Sequence, residues 1–216
     1  MGPATKLVDA LAGRASTEET LPARGNKLNS PREDENHAPS WLRGWVFLVE
    51  PRSVKLSYKL TGQGWASAVI LDDDRRFAME RISYLSDAFN DLLQAAIGLL
   101  EGAGRVWFLW HDEPGEHRWI IHRTDDDLLI RILWFDDAFK AAPDEKGTEL
   151  FQLHCRLANF TGEVLACGRS LLAEHTEHGY REEWGSEFPE EEFGRLEWLI
   201  GERRKRKRTG KGSAAV

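Results

Sequence analysis

The chain has 216 residues, a hydrophobic fraction of 41% and a formal charge of −7, enough apolar material for one core of ordinary domain size with tails. Seven positive charges lie in Arg203 to Arg208 and Lys211, so the total of −7 leaves −14 on the remainder. Such an acidic body argues against a main domain that tracks a phosphate backbone, which takes lysine and arginine, and leaves basic proteins as partners.

Residues 1–40 are rich in Ala, Arg, Asn, Pro and Glu without a sustained period, which predicts a disordered N-terminal segment. Within residues 41–52, the run from Trp41 to Val49 is apolar and ends at Pro51. Its length does not separate strand from helix. Residues 53–202 read as a single globular α+β domain, followed by a basic disordered tail over 203–216.

Inside that domain, Val54–Leu60 suits a strand, and Trp65–Leu71 with Arg76–Ser83 suits a hairpin turning at Asp72–Arg75. Leu85, Phe89, Leu92, Leu93, Ala96 and Leu100 then recur at helical spacing. Ser83 or Ser86 is available as N-cap, and Gly102 as the stop.

Three strands are predicted next, Arg105–Asp112, Glu116–Arg123 and Leu128–Phe135, joined by Pro-Gly and Asp-rich turns. With Asp112 opposite His117 and Arg123 opposite Leu128, alternation places Val106, Phe108, Trp110, Trp119, Ile121, Ile130, Ile132 and Trp134 on one apolar face. The other face mixes Trp107, Leu109, His111, Arg118, Ile120, His122, Leu129, Arg131, Leu133 and Phe135. It should be half wet, or covered by a partner.

A polar connector to Thr148 leads into a strand over Glu149–Leu157. Asn159 then caps a helix running to about Glu177, with Phe160, Val164, Cys167, Leu171 and Leu172 on one face and His178-Gly179 closing it. A further helix opens at Pro189, with Glu190, Glu191 and Glu192 at its positive end. No βαβ alternation is present. The expected fold is α+β: a largely antiparallel sheet of about five to seven strands around the central meander 105–135, with two or three helices packed mainly on one face.

Chemistry is harder to find. His111, Asp112, Glu113, Glu116, His117 and His122 bring nitrogen and oxygen ligands to one hairpin, as a divalent metal would need. Asp112 and His117 share a face while His111 and His122 point the other way, which leaves a site short of ligands. No HExxH, CxxC, nucleophile elbow, Walker loop or dinucleotide fingerprint occurs. No resident metal or cofactor is expected, and no catalytic residue is assigned. The runs Asp72–Asp74 and Asp125–Asp127 read as turns, and Asp136 with Asp137 follows a buried strand.

Cys155 and Cys167 lack ligand spacing and read as buried, reduced thiols, with a single disulfide between them as the alternative. No apolar run reaches membrane-spanning length, and the N-terminus lacks a signal-peptide core. The expected location is the cytoplasm.

What remains is surface. An acidic, tryptophan-bearing face with Trp107, Arg118, Arg131, Trp184, Glu182, Glu183, Glu190 and Glu191 is the candidate for a protein partner of unidentified kind. Trp198 is a further candidate anchor. Arg203, Arg204, Lys205, Arg206, Lys207 and Arg208 form an anion-binding tail, suited to weak, salt-sensitive contact with nucleic acid or an anionic surface. A small acidic α+β chain with a tryptophan-rich sheet resembles the bacterial immunity and antitoxin class, which neutralises a partner by covering it. That resemblance implies a non-enzymatic binding module and is one of fold and charge alone. The alternatives are a metal-assisted hydrolase using His111, Asp112, His117 and Asp136, and a nucleic-acid-associated protein acting through the tail.

Overall fold

The structure, a computed structural model, describes residues 50–73 and 75–212, the last three of them as backbone only. The segment 1–40, the run Trp41–Val49 and the end of the tail lie outside the described residues. Strands β1 (Val54–Gly62), β2 (Trp65–Asp72) and β3 (Arg75–Ser83) form an antiparallel meander. Helix α1 (Ala88–Glu101) leads into a second meander of β4 (Arg105–Asp112), β5 (Gly115–Thr124), β6 (Asp127–Phe135) and β7 (Thr148–Arg156), which has a 3-10 turn at Asp144–Lys146 before its last strand. Helices α2 (Leu157–Trp184) and α3 (Glu190–Gly212) complete the chain.

The α+β class with antiparallel strands and three helices is as the sequence implies, but the seven strands make two sheets instead of one. The two sheets share one core: Tyr58 of β1 meets Trp110 of β4 edge-on at 5.8 Å, and Phe77 of β3 stacks on Phe151 of β7 at 5.2 Å. Helix α1 packs on β4, α2 lies along β1, and α3 packs against both helices.

Strand β1 alternates Val54, Leu56, Tyr58 and Leu60 inward with Lys55, Ser57 and Lys59 outward. It stands at a sheet edge, where unpaired backbone groups invite pairing with another chain. Helix α2 closes that edge with one row of side chains four residues apart. Asn159 Oδ1 accepts the Val54 N–H at 2.7 Å and its Nδ2 donates to the Val54 carbonyl at 3.1 Å. Glu163 accepts the Leu56 N–H at 3.2 Å, and the Cys167 thiol donates to the Leu56 carbonyl at 3.3 Å. Asn159 therefore does not cap the helix as expected; α2 begins at Leu157, directly after β7, with Arg156 in the cap position.

The central meander keeps its predicted faces with a corrected register. Asp112 pairs with Gly115 and Trp110 with His117, two residues from the expected alignment, while Arg123 does face Leu128. A shift of two preserves side-chain parity, so Phe108, Trp110, Trp119, Ile121, Ile130 and Ile132 are all buried on one face. Gly115 permits the tighter turn, since a Cβ there would lie 2.3 Å from the Trp134 ring.

Helix α1 stops at Gly102, in the left-handed conformation at φ 112°, as expected, while Asp87 rather than a serine precedes its first turn. Helix α2 is interrupted at Thr176 (φ 55°, ψ 173°) but continues to Trp184, where Gly185 at φ 93° ends it. The close His178-Gly179 stop is replaced by this break and continuation. Helix α3 runs to Gly212, so Arg203–Arg208 are helical where a disordered tail was expected.

Candidate functional site

The histidine hairpin does not gather its ligands. His117 Nδ1 lies 3.9 Å from Asp112 Oδ2, and His117 is otherwise enclosed by the rings of Trp134 at 5.0 Å and Phe77 at 6.3 Å. Burial pushes its pKa down to about 4, so the long approach of Asp112 does not keep it charged. His111 points to the opposite face, beside Phe139 at 5.9 Å, and burial lowers its pKa as well. His122, on that outer face, is lowered to about 4 by burial and then by Arg105 and Arg131. Among the described residues no group of three or more His, Cys, Asp or Glu side chains is placed to share a metal ion. Asp136 accepts from Trp134 Nε1 at 2.6 Å.

The outer face of the four-stranded sheet is covered by the protein's own connector. Arg118 donates to Glu116 at 2.7 Å, to Asp144 at 2.9 Å and to the Ala142 carbonyl at 2.8 Å, with its guanidinium 4.0 Å above the Phe135 ring. Arg105 holds the other Asp144 oxygen at 3.1 Å. Trp107 is half-buried against Ile120, Leu133 and Phe135. Arg131 pairs with Glu149 at 2.6 Å. Of these three predicted contact residues, Arg118 is committed to an internal network. Trp107 and Arg131 retain partial exposure.

Trp184 is likewise internal. It is 2% exposed and meets Tyr58 edge-on at 6.4 Å. The expectation of an exposed anchor there is corrected: the ring is packed whole into the core beside Tyr58.

The acidic residues do converge. Glu182, Glu190 and Glu191 are exposed and Glu183 is partly buried, where the end of α2 meets the start of α3. Glu182 pairs with His178 at 3.5 Å, Glu183 with His175 at 3.2 Å, and Glu187 with Arg181 at 2.7 Å. Glu190, on the next helix, and then Glu187 lift the Glu177 pKa above its usual value.

At the far end of α3 the charge reverses. Leu100, Trp198 and Leu199 with Asp126, Glu202, Arg203, Arg206 and Lys207 line a groove of about 390 Å³. Asp126, from the β5–β6 turn, accepts from both Arg203 and Lys207, and these hydrogen bonds hold its carboxyl below the usual range. In the sequence Asp126 is turn chemistry alone, and nothing local to the turn signals a partner on α3. Trp198 is 63% exposed at the rim.

Cys155 and Cys167 are free and buried, each thiol pushed up to about 12 mainly by burial. Among the described residues no helix is long and apolar enough to cross a membrane.

No family model and no curated protein matches the chain. Among solved structures it is similar to a chain of the CdiA-CT/CdiI toxin and immunity complex from Enterobacter cloacae, at 10% identity and a TM-score of 0.37, over 53% of this chain and 99% of that one.

Proposed function

We propose that the protein is a non-enzymatic, cytoplasmic protein-binding module of the immunity or antitoxin kind, which engages a basic partner through the acidic corner between α2 and α3. The observation that carries this reading is the gathering of the exposed Glu177, Glu182, Glu187, Glu190 and Glu191 where α2 ends and α3 begins, a repulsion felt in the raised pKa of Glu177. A partner's lysine or arginine at that point would relieve the repulsion, and the exposed Glu182, Glu187 and Glu191 around it would steer the approach. Two free, buried thiols suit a reducing compartment.

The test is affinity capture from native lysate after nuclease treatment, comparing the intact chain with Glu190→Lys/Glu191→Lys. Lysine at position 190 removes the repulsion with Glu177, so lost binding in this variant cannot be ascribed to a strained fold. One protein retained in near-equal amount by the intact chain and lost by the variant is expected. The same protein retained equally by both, or none by either, would overturn the reading.

A further inference from the structure

The basic end of α3 differs from a plain charge run because the fold sets an aromatic ring beside it. Trp198 is largely exposed and shares one groove with Arg203, Arg206 and Lys207. Its floor is supplied by Leu100 at the end of α1 and Leu199. Arg203 and Lys207 are both engaged by Asp126, and Lys205 is paired with Glu202 at 2.8 Å. Arg204, Arg206 and Arg208 make no salt bridge among the described residues and are exposed. Six cations therefore stand against two carboxylates on this stretch; of the three unpaired guanidinium groups Arg206 lines the groove, while Arg204 and Arg208 lie on another face of the helix.

We infer that this groove binds single-stranded nucleic acid, with a base stacked on the Trp198 indole and the neighbouring phosphates met by Arg206 and by the Arg203 and Lys207 pair, whose two charges Asp126 balances only in part. An aromatic platform beside a basic track is what sequence-tolerant single-strand binding uses, because every base has a face to stack and every linkage a charge to neutralise. The dimensions agree. Trp198 and Arg206 are two helical turns apart, about 12 Å along the axis at 1.5 Å per residue, room for a stacked base and the phosphates beside it. The same geometry disfavours a long duplex, since a groove of about 390 Å³ on a body whose remaining charge is −14 offers no extended basic surface. An acidic polypeptide would satisfy the arginines equally but has no use for an exposed indole.

The experiment uses the full chain and a short fluorescein-labelled oligothymidylate, read by anisotropy at several salt concentrations, with polyglutamate and a duplex of equal length as competitors. Binding is expected to weaken with salt at a log–log slope of about −1.4, from two phosphates at roughly 0.7 each. Trp198→Ala should weaken it about tenfold without changing that slope, and Trp198→Phe should restore most of the loss. Arg206→Ala/Lys207→Ala should flatten the slope. No binding at low salt overturns the inference. So does Trp198→Ala binding as the parent does, with polyglutamate or duplex competing as well as the single strand, which would make the groove a general anionic contact. Capture of a protein through the acidic corner is read separately, so either result can fail alone.

Discussion

Asn159 binds Val54 through both ends of its amide, accepting the backbone N–H at 2.7 Å and donating to the carbonyl at 3.1 Å, across 105 residues of chain. The side chain stands in for a neighbouring strand at the first residue of an edge. Its removal leaves a backbone donor and acceptor without partners in a partly buried place. Asn159→Ala should therefore cost about 1–3 kcal/mol in denaturant unfolding. Asn159→Asp, which keeps the acceptor and loses the donor, should fall between. Both should speed amide exchange at Val54 and Leu56 before the rest of β1. A variant as stable as the parent would show that water replaces the amide at no cost.

Arg118 does for the outer face of the four-stranded sheet what Asn159 does for the edge of the other. It is 12% exposed as a side chain and satisfies Glu116, which is 4% exposed, together with Asp144 and the Ala142 carbonyl. Truncating one member of such a buried pair leaves the other charge uncompensated. Arg118→Ala is expected to lose about 3–5 kcal/mol of stability. Arg118→Lys should recover only part of it, since an ammonium cannot meet two carboxylates and lie flat on Phe135 at once. Proteolysis of the 136–147 connector should quicken in both variants.

The histidines set a pH dependence of stability. His117 and His122 are each lowered from 6.5 to about 4 in the folded protein. The unfolded chain thus takes up protons below about 6.5 that the folded chain refuses until about 4. Stability is complete above that window and falls as pH drops through it, by about 1.4 kcal/mol per unit for His117 in mid-window. His122 adds less because it is more exposed. Asp112 and Asp87, whose pKa values are raised by burial, oppose the trend at the acid end. Thermal melts from pH 7.5 to 4.5 should show the decline, and His117→Phe should flatten it; an unchanged slope in that variant would remove His117 as its source.

What was legible in the sequence was what depends on neighbours along the chain. Alternation in β4, β5 and β6 assigned the buried face, and Gly102 marked the end of α1, because side-chain parity and a left-handed stop are local properties. The hairpin register slipped by two because the space that Gly115 leaves is filled by Trp134, a residue of the next strand. Asn159 read as a cap, since serine, aspartate and asparagine at helix starts usually serve there, and its true partner is far off in sequence. The acidic corner was legible from composition and placed by topology. The groove was legible only in halves, as the basic run and a spare tryptophan; Asp126, which fixes two of its cations, carried no signal of its own.

Trp184 and Trp198 lie on successive helices and should respond in opposite ways to the same substitution. Trp184 fills the core beside Tyr58. Removing it opens a cavity, so Trp184→Ala should cost about 3–5 kcal/mol. Trp184→Phe, which keeps most of the bulk, should cost less. Trp198 is mostly in water on a helix, where alanine is the better helix former, so Trp198→Ala should change stability by no more than about 0.5 kcal/mol in either direction. Denaturant unfolding of the two variants beside the parent checks both. A large loss for Trp198→Ala would mean that the ring is held by the fold for structural reasons, whereas a neutral result leaves an exposed indole that the fold does not need and a ligand can use.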